Sequence, residues 1–369
     1  MEQPPAPREL PPHLPDELVI LEILPRVPVK SLLRFRCVSK SWLSLISTPH
    51  FIRVHLEKSS QNKDYSRLSL IAHTSAPRFA FKNCSVQSLL QEPVTHAANI
   101  DYPVEKAPSS ISIVGSCNGL VCIVVDCEQI YIWNPSTRKS NKLKDSGFIR
   151  KQHCYTIYGF GYDEINDDYN VVAILRALNH VKIETKVYSL KSDKWRRIED
   201  IPGCFPFYSW GKYVDRKLHW PGYSGKQDRA VVSFDLAQAK YGELKLPTNG
   251  EGASFPVLGV LGRCLSVTYE HQRSNTVDLW VMKEYGVMES WTKILTFPSF
   301  GIRGPVPLCI SRNDEVSIQF GSTFRLYSLQ DDSMGNPKTI NMDGCRDATI
   351  YVESLVSASA AEKDERRYG

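Results

Sequence analysis

The spacing of apolar residues changes part-way along the chain. From residue 14 to residue 58 they recur at intervals of three and four, and from residue 65 to residue 357 they form short runs broken by Gly, Asn, Asp and Pro. The first pattern predicts helices and the second predicts strands. The pattern therefore divides the 369 residues into a proline-rich, disordered tail over 1–12, a helical module over 13–58, a β domain over 65–357, and a tail of small and then charged residues over 358–369.

Within the helical module, Asp16 is a plausible N-cap for a helix from Glu17 to Leu24, with Leu18, Leu21 and Leu24 on one face. Pro25 and Pro28 stop it, because proline lacks an N–H and its ring collides with the preceding turn. A second helix fits Val29 to Phe35, and a third fits Lys40 to Ile46 behind a Ser39 cap. Thr48-Pro49 is a cap followed by a first-turn proline, opening a fourth through Phe51, Val54 and Leu56. So short a bundle makes a poor core by itself, yet it is rich in Leu, Val, Ile and Phe. Its surplus apolar surface faces either a partner or the β domain.

In the β domain an aromatic strand position recurs at Trp133, Tyr188, Phe234, Trp280 and Tyr327, with spacings of 55, 46, 46 and 47. Trp195, Tyr241 and Trp291 each precede a proline by six or seven residues, as an outer strand ending in a turn would. Further strands precede the aromatic one at Leu120–Ile123, Leu218–Trp220 and Cys264–Val267. A repeat of this length with three or four strands predicts a propeller blade, with the recurring aromatics between neighbouring blades. Residues 67–83 would supply a sixth unit, and Ala348–Val352 would return to the first blade and close the ring. The alternative is a sandwich of unrelated hairpins.

The run Leu14-Pro15-Asp16-Glu17-Leu18, then Glu22 through Trp42, then Leu45-Ile46 and Pro49-His50-Phe51, resembles an F-box in order and spacing. Val27 and Ser39 stand where that family often carries Leu and Cys. The resemblance implies binding to a Skp-type adaptor and, through it, to a cullin scaffold. Carried over position by position, it implies that Leu14, Pro15, Leu18, Leu24, Val27, Pro28, Leu32, Leu33, Val38 and Trp42 divide between the module's core and the adaptor interface.

The stretches Gly115–Cys122, Trp133–Arg138, Tyr158–Asp163, Asp167-Asp168-Tyr169, Val187–Leu190 with Trp195, and Leu218–Trp220 resemble the plant F-box-associated, kelch-like domain. Together the two resemblances imply an α+β multidomain chain, with a small helical F-box followed by an all-β, kelch-like propeller of about six blades. They also imply a substrate-recognition subunit of an SCF-type ubiquitin ligase that captures a protein target for degradation and is not itself an enzyme. A cullin-independent F-box scaffold and a propeller lectin or enzyme are the competing readings.

Composition alters this picture little. The net charge of +5, from 45 basic and 40 acidic residues, is dispersed and argues against a nucleic-acid surface, while hinting at an acidic partner. No signal peptide and no membrane-length apolar run is visible, so the cytoplasm or nucleus is expected. The ten cysteines have no zinc spacing and are expected as free, buried thiols; no cofactor or metal is expected. Gly115-Ser116-Cys117-Asn118-Gly119 imitates a nucleophile elbow but is followed by a β run where the elbow needs a helix. The carboxylates Asp163, Glu164, Asp167 and Asp168 read as a solvated turn. For target binding, Tyr208, Trp210, Tyr223 and Phe300 are the loop candidates, each beside Gly or Pro in the chain or close to one.

Overall fold

Leu120–Val125 is buried at all six positions, which an ordinary two-layer sheet with one wet face would not allow. Leu120, Cys122 and Val124 enter one core with Tyr158, Phe160 and Val171, while Val121, Ile123 and Val125 enter another with Ile71, Phe81 and Tyr351. Successive side chains point to opposite sheet faces, so this sheet is covered on both.

In the computed structural model, residues 18–62, 65–75, 79–104, 108–148, 154–177, 183–200, 205–207, 209–224, 228–247, 254–302 and 304–359 are described. They form a helical module followed by a six-bladed propeller. Blade one contains Cys345–Val352, Leu68–Thr74, Ala80–Ser85 and Ala98–Ile100 in that spatial order. Blade two runs Ile111–Cys117, Leu120–Val125, Gln129–Asn134 and Lys139–Lys142, and blade three runs Cys154–Asp163, Asp168–Ala177, Ile183–Ser189 and Lys194–Arg197. In blade four the inner position is split between Phe205–Pro206 and Lys212–Val214, followed outward by Lys217–Tyr223, Arg229–Asp235 and Lys240–Lys245. Blade five holds Val257–Leu261, Cys264–His271, Thr276–Met282 and Trp291–Pro298, and blade six holds Val306–Ile310, Glu315–Phe320, Thr323–Ser328 and Ser333–Met334.

Each pair of neighbouring blades encloses its own apolar core, including a core of Leu70, Ala72, Leu308, Cys309 and Phe324 between the last blade and the first. The recurring aromatics lie where the repeat predicts. Trp133 packs toward blade one, Tyr188 toward blade two, Phe234 toward blade three, Trp280 toward blade four and Tyr327 toward blade five. The outer aromatics also reach back by one blade. Trp195 Nε1 donates to the Lys144 carbonyl at 2.7 Å, Trp291 Nε1 to the Lys245 carbonyl at 3.0 Å, and the Tyr241 hydroxyl lies 2.8 Å from that of Thr185.

The ring closes on Cys345–Val352, which pairs antiparallel with Leu68–Thr74 from Leu68 opposite Val352 onward. Beyond it, Asn134 Nδ2 holds the carbonyls of Ser354 and Val356 at 3.1 and 2.8 Å. Ala358, which the sequence pattern assigns to a frayed tail, is 1% exposed in the core between blades two and three. The expected N-terminal tail, and residues 360–369 of the C-terminal one, lie outside the described residues. A further departure is the helix Val86–Gln91 inside blade one, capped by Ser85, whose hydroxyl accepts from the Gln87 amide. Val86, Leu89 and Leu90 sit at helical spacing and cover the core between blades six and one.

At the centre, the inner strands of blades three and four approach closely. Gly159 and Gly211 form a parallel bridge, and the Gly211 N–H donates to the Tyr158 carbonyl at 2.7 Å. A Cβ on either glycine would lie 2.7 Å from the Trp220 ring, so only glycine fits this approach.

Two outcomes test this account. A chain ending at Gly344 lacks the closing strand and is expected to lose cooperative urea unfolding, because blades one and two are left with open faces. The second concerns the fully buried His219, whose ring lies 3.0 Å from the Lys212 carbonyl and 2.8 Å from the Tyr285 hydroxyl. Burial pushes its pKa down to about 4 from an ordinary 6.5, so protonation favours the unfolded chain. Its contribution is complete above pH 6.5 and is lost as pH falls toward 4, amounting to about 3 kcal/mol over that window. Urea unfolding at the two ends of the window should show this loss, and His219→Gln should reduce it.

Candidate protein-docking site

The helical module is organised by its caps. Ser39 Oγ accepts from the Trp42 amide at 3.2 Å and opens Lys40–Ile46. Thr48 Oγ1 accepts from the Phe51 amide at 3.2 Å and donates to the Leu45 carbonyl at 2.8 Å, joining that helix to Pro49–Ser60. The helix Val29–Phe35 follows Pro28, whose carbonyl accepts from the Leu32 amide at 3.0 Å. The first helix departs from expectation: Val19–Ile23 is a π-helical turn and Leu24–Arg26 a 3-10 turn. Pro25 has no N–H to continue an α-helical ladder, and the Leu24 amide instead closes a wide turn onto the Val19 carbonyl.

Leu24, Val29, Leu32, Ile46 and Phe51 form the module's core, and Leu355 enters it from the chain that follows the closing strand. His55 is fully buried, with Nε2 3.1 Å from the Val27 carbonyl, and burial lowers its pKa. With that core filled, the module still exposes large apolar side chains. Leu18 is 43% exposed, Leu21 56%, Ile23 40%, Val38 65% and Leu43 46%, which is half of the ten exposed large hydrophobic residues among the described residues. Single exposed leucines are ordinary, but this concentration is high for so small a module.

The module sits on the propeller face where inner strands turn into second strands. Arg67 donates to the Arg26 carbonyl there, and Tyr65 donates to the Ile310 carbonyl. The loops between second and third strands open on the opposite face, where two aromatic groups lie. Phe207 meets Phe255 edge-on at 4.0 Å and Tyr223 at 4.7 Å, with the Arg229 guanidinium 5.4 Å from the Phe255 ring. Phe300, 45% exposed, packs on Phe320 under the Arg325 guanidinium, 4.5 Å from its ring. Tyr223 and Phe300 therefore share the face distant from the helical module. Trp210 is half-buried against Tyr158 and belongs to the packing between blades two and three. Tyr208 lies outside the described residues.

The motifs that imitate catalytic or metal sites are structural. Asn118 and Gly119 take positive φ in a turn between two strands, and a Cβ on Gly119 would overlap Ser354. Burial raises the Cys117 thiol, the reverse of what a nucleophile needs. Asp163 caps its own turn by accepting from the amides of Ile165 and Asn166, while Glu164 pairs with Arg216 at 3.2 Å. Among the described residues no group of three or more His, Cys, Asp or Glu side chains is placed to hold a metal ion, and no helix is long and apolar enough to cross a membrane.

Comparison with known families matches residues 11–53 to the F-box domain and residues 77–357 to the F-box associated beta propeller domain. The chain belongs to the F-box proteins with an F-box-associated propeller. It is 36% identical to the F-box/kelch-repeat protein At3g23880 of Arabidopsis thaliana, over 94% of this chain and 96% of that protein. It is 27% identical to the F-box protein CPR1 of the same plant, over 95% and 90%. Among solved structures it is similar to TolB from Acinetobacter baumannii, with 10% identity, coverage of 83% and 73%, and a TM-score of 0.48.

The F-box positions singled out from the sequence separate by burial. Leu24 and Leu32 are core, Val27, Leu33 and Trp42 are half-buried, and Leu18, Pro28 and Val38 are exposed; Leu14 and Pro15 lie outside the described residues. Leu21, Ile23 and Leu43 are exposed but stand outside those F-box positions; Leu21 carries the helical spacing it shares with Leu18 and Leu24, and Ile23 and Leu43 are more apolar than a solvated face requires.

Urea unfolding distinguishes the two classes in the F-box. Leu32→Ala, which empties a fully buried site, is expected to cost about 2–5 kcal/mol if the module unfolds with the ring. Leu21→Ala is expected to change stability by no more than about 0.5 kcal/mol.

Proposed function

We propose that this F-box protein is the substrate-recognition subunit of an SCF-type ubiquitin ligase. In this reading the F-box docks on a Skp-type adaptor that links it to a cullin scaffold, and the propeller captures a protein target. The observation that carries the docking half is the group Leu18, Leu21, Ile23, Val38 and Leu43, left exposed by a module whose own core is complete. An apolar surface of this kind suits a stable partner interface, in which a few large side chains dominate the energy. Leu14 and Pro15 belong to the same proposed interface by resemblance.

For the target, the far face of the ring supplies Tyr223 with Phe207 and Phe255, and Phe300 with Phe320, each group beside an arginine. Aromatic and arginine side chains are the residue types that anchor protein interfaces. A target held there and a conjugating enzyme recruited through the scaffold are joined in one assembly. The receptor's contribution is then effective concentration, with no bond-making group required on this chain.

Pull-down of a Skp-type adaptor tests the docking half. Leu21→Asp with Val38→Asp should reduce adaptor capture by at least about 10-fold, since each places a charge in an apolar interface. The far-ultraviolet spectrum of the variant should match that of the parent. Equal capture by the folded variant would reject this surface. Adaptor binding without cullin co-purification would favour a cullin-independent scaffold.

A further inference from the structure

Among the described non-glycine residues with positive φ, two are aromatic, Tyr65 at 58° and Phe300 at 53°. A left-handed backbone crowds the Cβ of an L-residue, so a bulky side chain stays there only where its surroundings enforce it. For Tyr65, packing supplies the reason. Its ring lies against the core between blades six and one, and its hydroxyl donates to the Ile310 carbonyl. Phe300 is a member of no blade core, and its side chain remains 45% exposed. The space beside it is open: a Cβ on the next residue, Gly301, would meet no atom within 4 Å.

What holds Phe300 in this conformation is its turn. Ser299 is fully buried, its amide donates to the Asn275 carbonyl at 3.0 Å, and its hydroxyl donates to the Asn275 side chain. Ser299 Oγ also accepts from the Gly301 amide at 3.3 Å, and the Ser299 carbonyl accepts from the Ile302 amide at 3.0 Å. The turn is thereby fixed to residues 272–275 of blade five. The Phe300 ring is supported edge-on by Phe320 at 5.4 Å and by the Arg325 guanidinium 4.5 Å away. An aromatic side chain fixed in this way loses little freedom when a partner covers it. Charge defines which partner that is. Arg325 donates to the Gly335 carbonyl at 3.1 Å, a bond that uses one of the several N–H groups of its guanidinium. Arg273 is exposed on the turn to which Ser299 is bonded. Among the described residues no carboxylate lies within ion-pair distance of either arginine.

We propose that Phe300 is the anchor of the target-binding face, and that the segment it receives is acidic, with an apolar side chain against the ring and carboxylates on Arg325 and Arg273. This rests on the reading that the far face captures the target, and it names the chemistry of the captured segment. A carboxylate matches the guanidinium fork. The ring and the guanidinium beside it form one surface that favours an apolar group and a negative charge next to each other. The left-handed backbone then has a role, which is to hold the ring at the rim where a partner reaches it.

The test titrates the full chain into a fluorescently labelled random copolymer of glutamate and tyrosine, beside a copolymer of lysine and tyrosine, and reads anisotropy. The acidic copolymer should bind with an affinity that falls with added salt, and the basic one should bind at least about 10-fold more weakly. Phe300→Gly should weaken acidic-copolymer binding by about 10-fold or more. Its thermal unfolding midpoint should equal or exceed that of the parent, because glycine takes the left-handed turn without strain. Arg325→Gln should weaken binding by about 10-fold and flatten its salt dependence. No binding of the acidic copolymer, or equal binding by both variants and the parent, overturns the proposal. So does a Phe300→Gly chain that keeps its affinity and loses stability, since the ring is then a packing element. Preferred binding of the basic copolymer that still depends on Phe300 overturns the acidic class and leaves the far face as the capture surface. All of these readings are made without adaptor, so failure of F-box docking does not enter them.

Discussion

The burial of both faces of every blade is the constraint on which the rest of this protein depends. Leu120–Val125 illustrates it: each side chain is buried, alternately against blade one and blade three, so blade two has no wet face on which to exist alone. A blade becomes stable only when both neighbours are present, and that condition is met all round only if the chain closes on itself. Closure is performed by Cys345–Val352 on Leu68–Thr74. Each large side chain buried between blades contributes on the order of 1.5–3 kcal/mol. Those contributions become mutually dependent once the circle is complete.

The F-box is rooted at the same seam. Immediately after the closing strand, the Glu353 amide donates to the Arg67 carbonyl at 2.8 Å, and Leu355 fills the F-box core. Arg67 in turn donates to the Arg26 carbonyl. The strand that completes the ring therefore also fixes the helical module on one face, with the exposed leucines of the F-box turned away from its core. The aromatic groups around Tyr223 and Phe300 then fall on the other face, separated from the module by the depth of the blades.

How much of this was legible in the sequence depends on the range of the forces involved. The helices Val29–Phe35 and Lys40–Ile46 were readable to the residue because Ser39 and the prolines act locally. The recurring aromatics were readable because every blade solves the same packing problem. Trp195, Tyr241 and Trp291 recur for a reason the spacing alone did not reveal, which is that each bonds to the preceding blade. The short helix Val86–Gln91 was not readable, since six residues between strands carry too little periodicity and its apolar side chains are buried in a core shared by blades six and one. Nor could helical spacing tell Leu32 from Leu21. It reveals that an apolar face exists, whereas what covers that face is a property of the assembled module.

The same separation explains where the reactive-looking residues sit. Cys117, Asp163 and His219 are each held by the packing or turns that make the blades. Groups immobilised in that way cannot be varied without loosening a core, so they are poor material for changing specificity. Tyr223 and Phe300 on the far face are less constrained, because neither side chain is a member of the six shared cores. A ring of this construction can therefore vary Tyr223 and Phe300 on its far face while its F-box face stays the same. That division follows from where burial is obligatory in the fold.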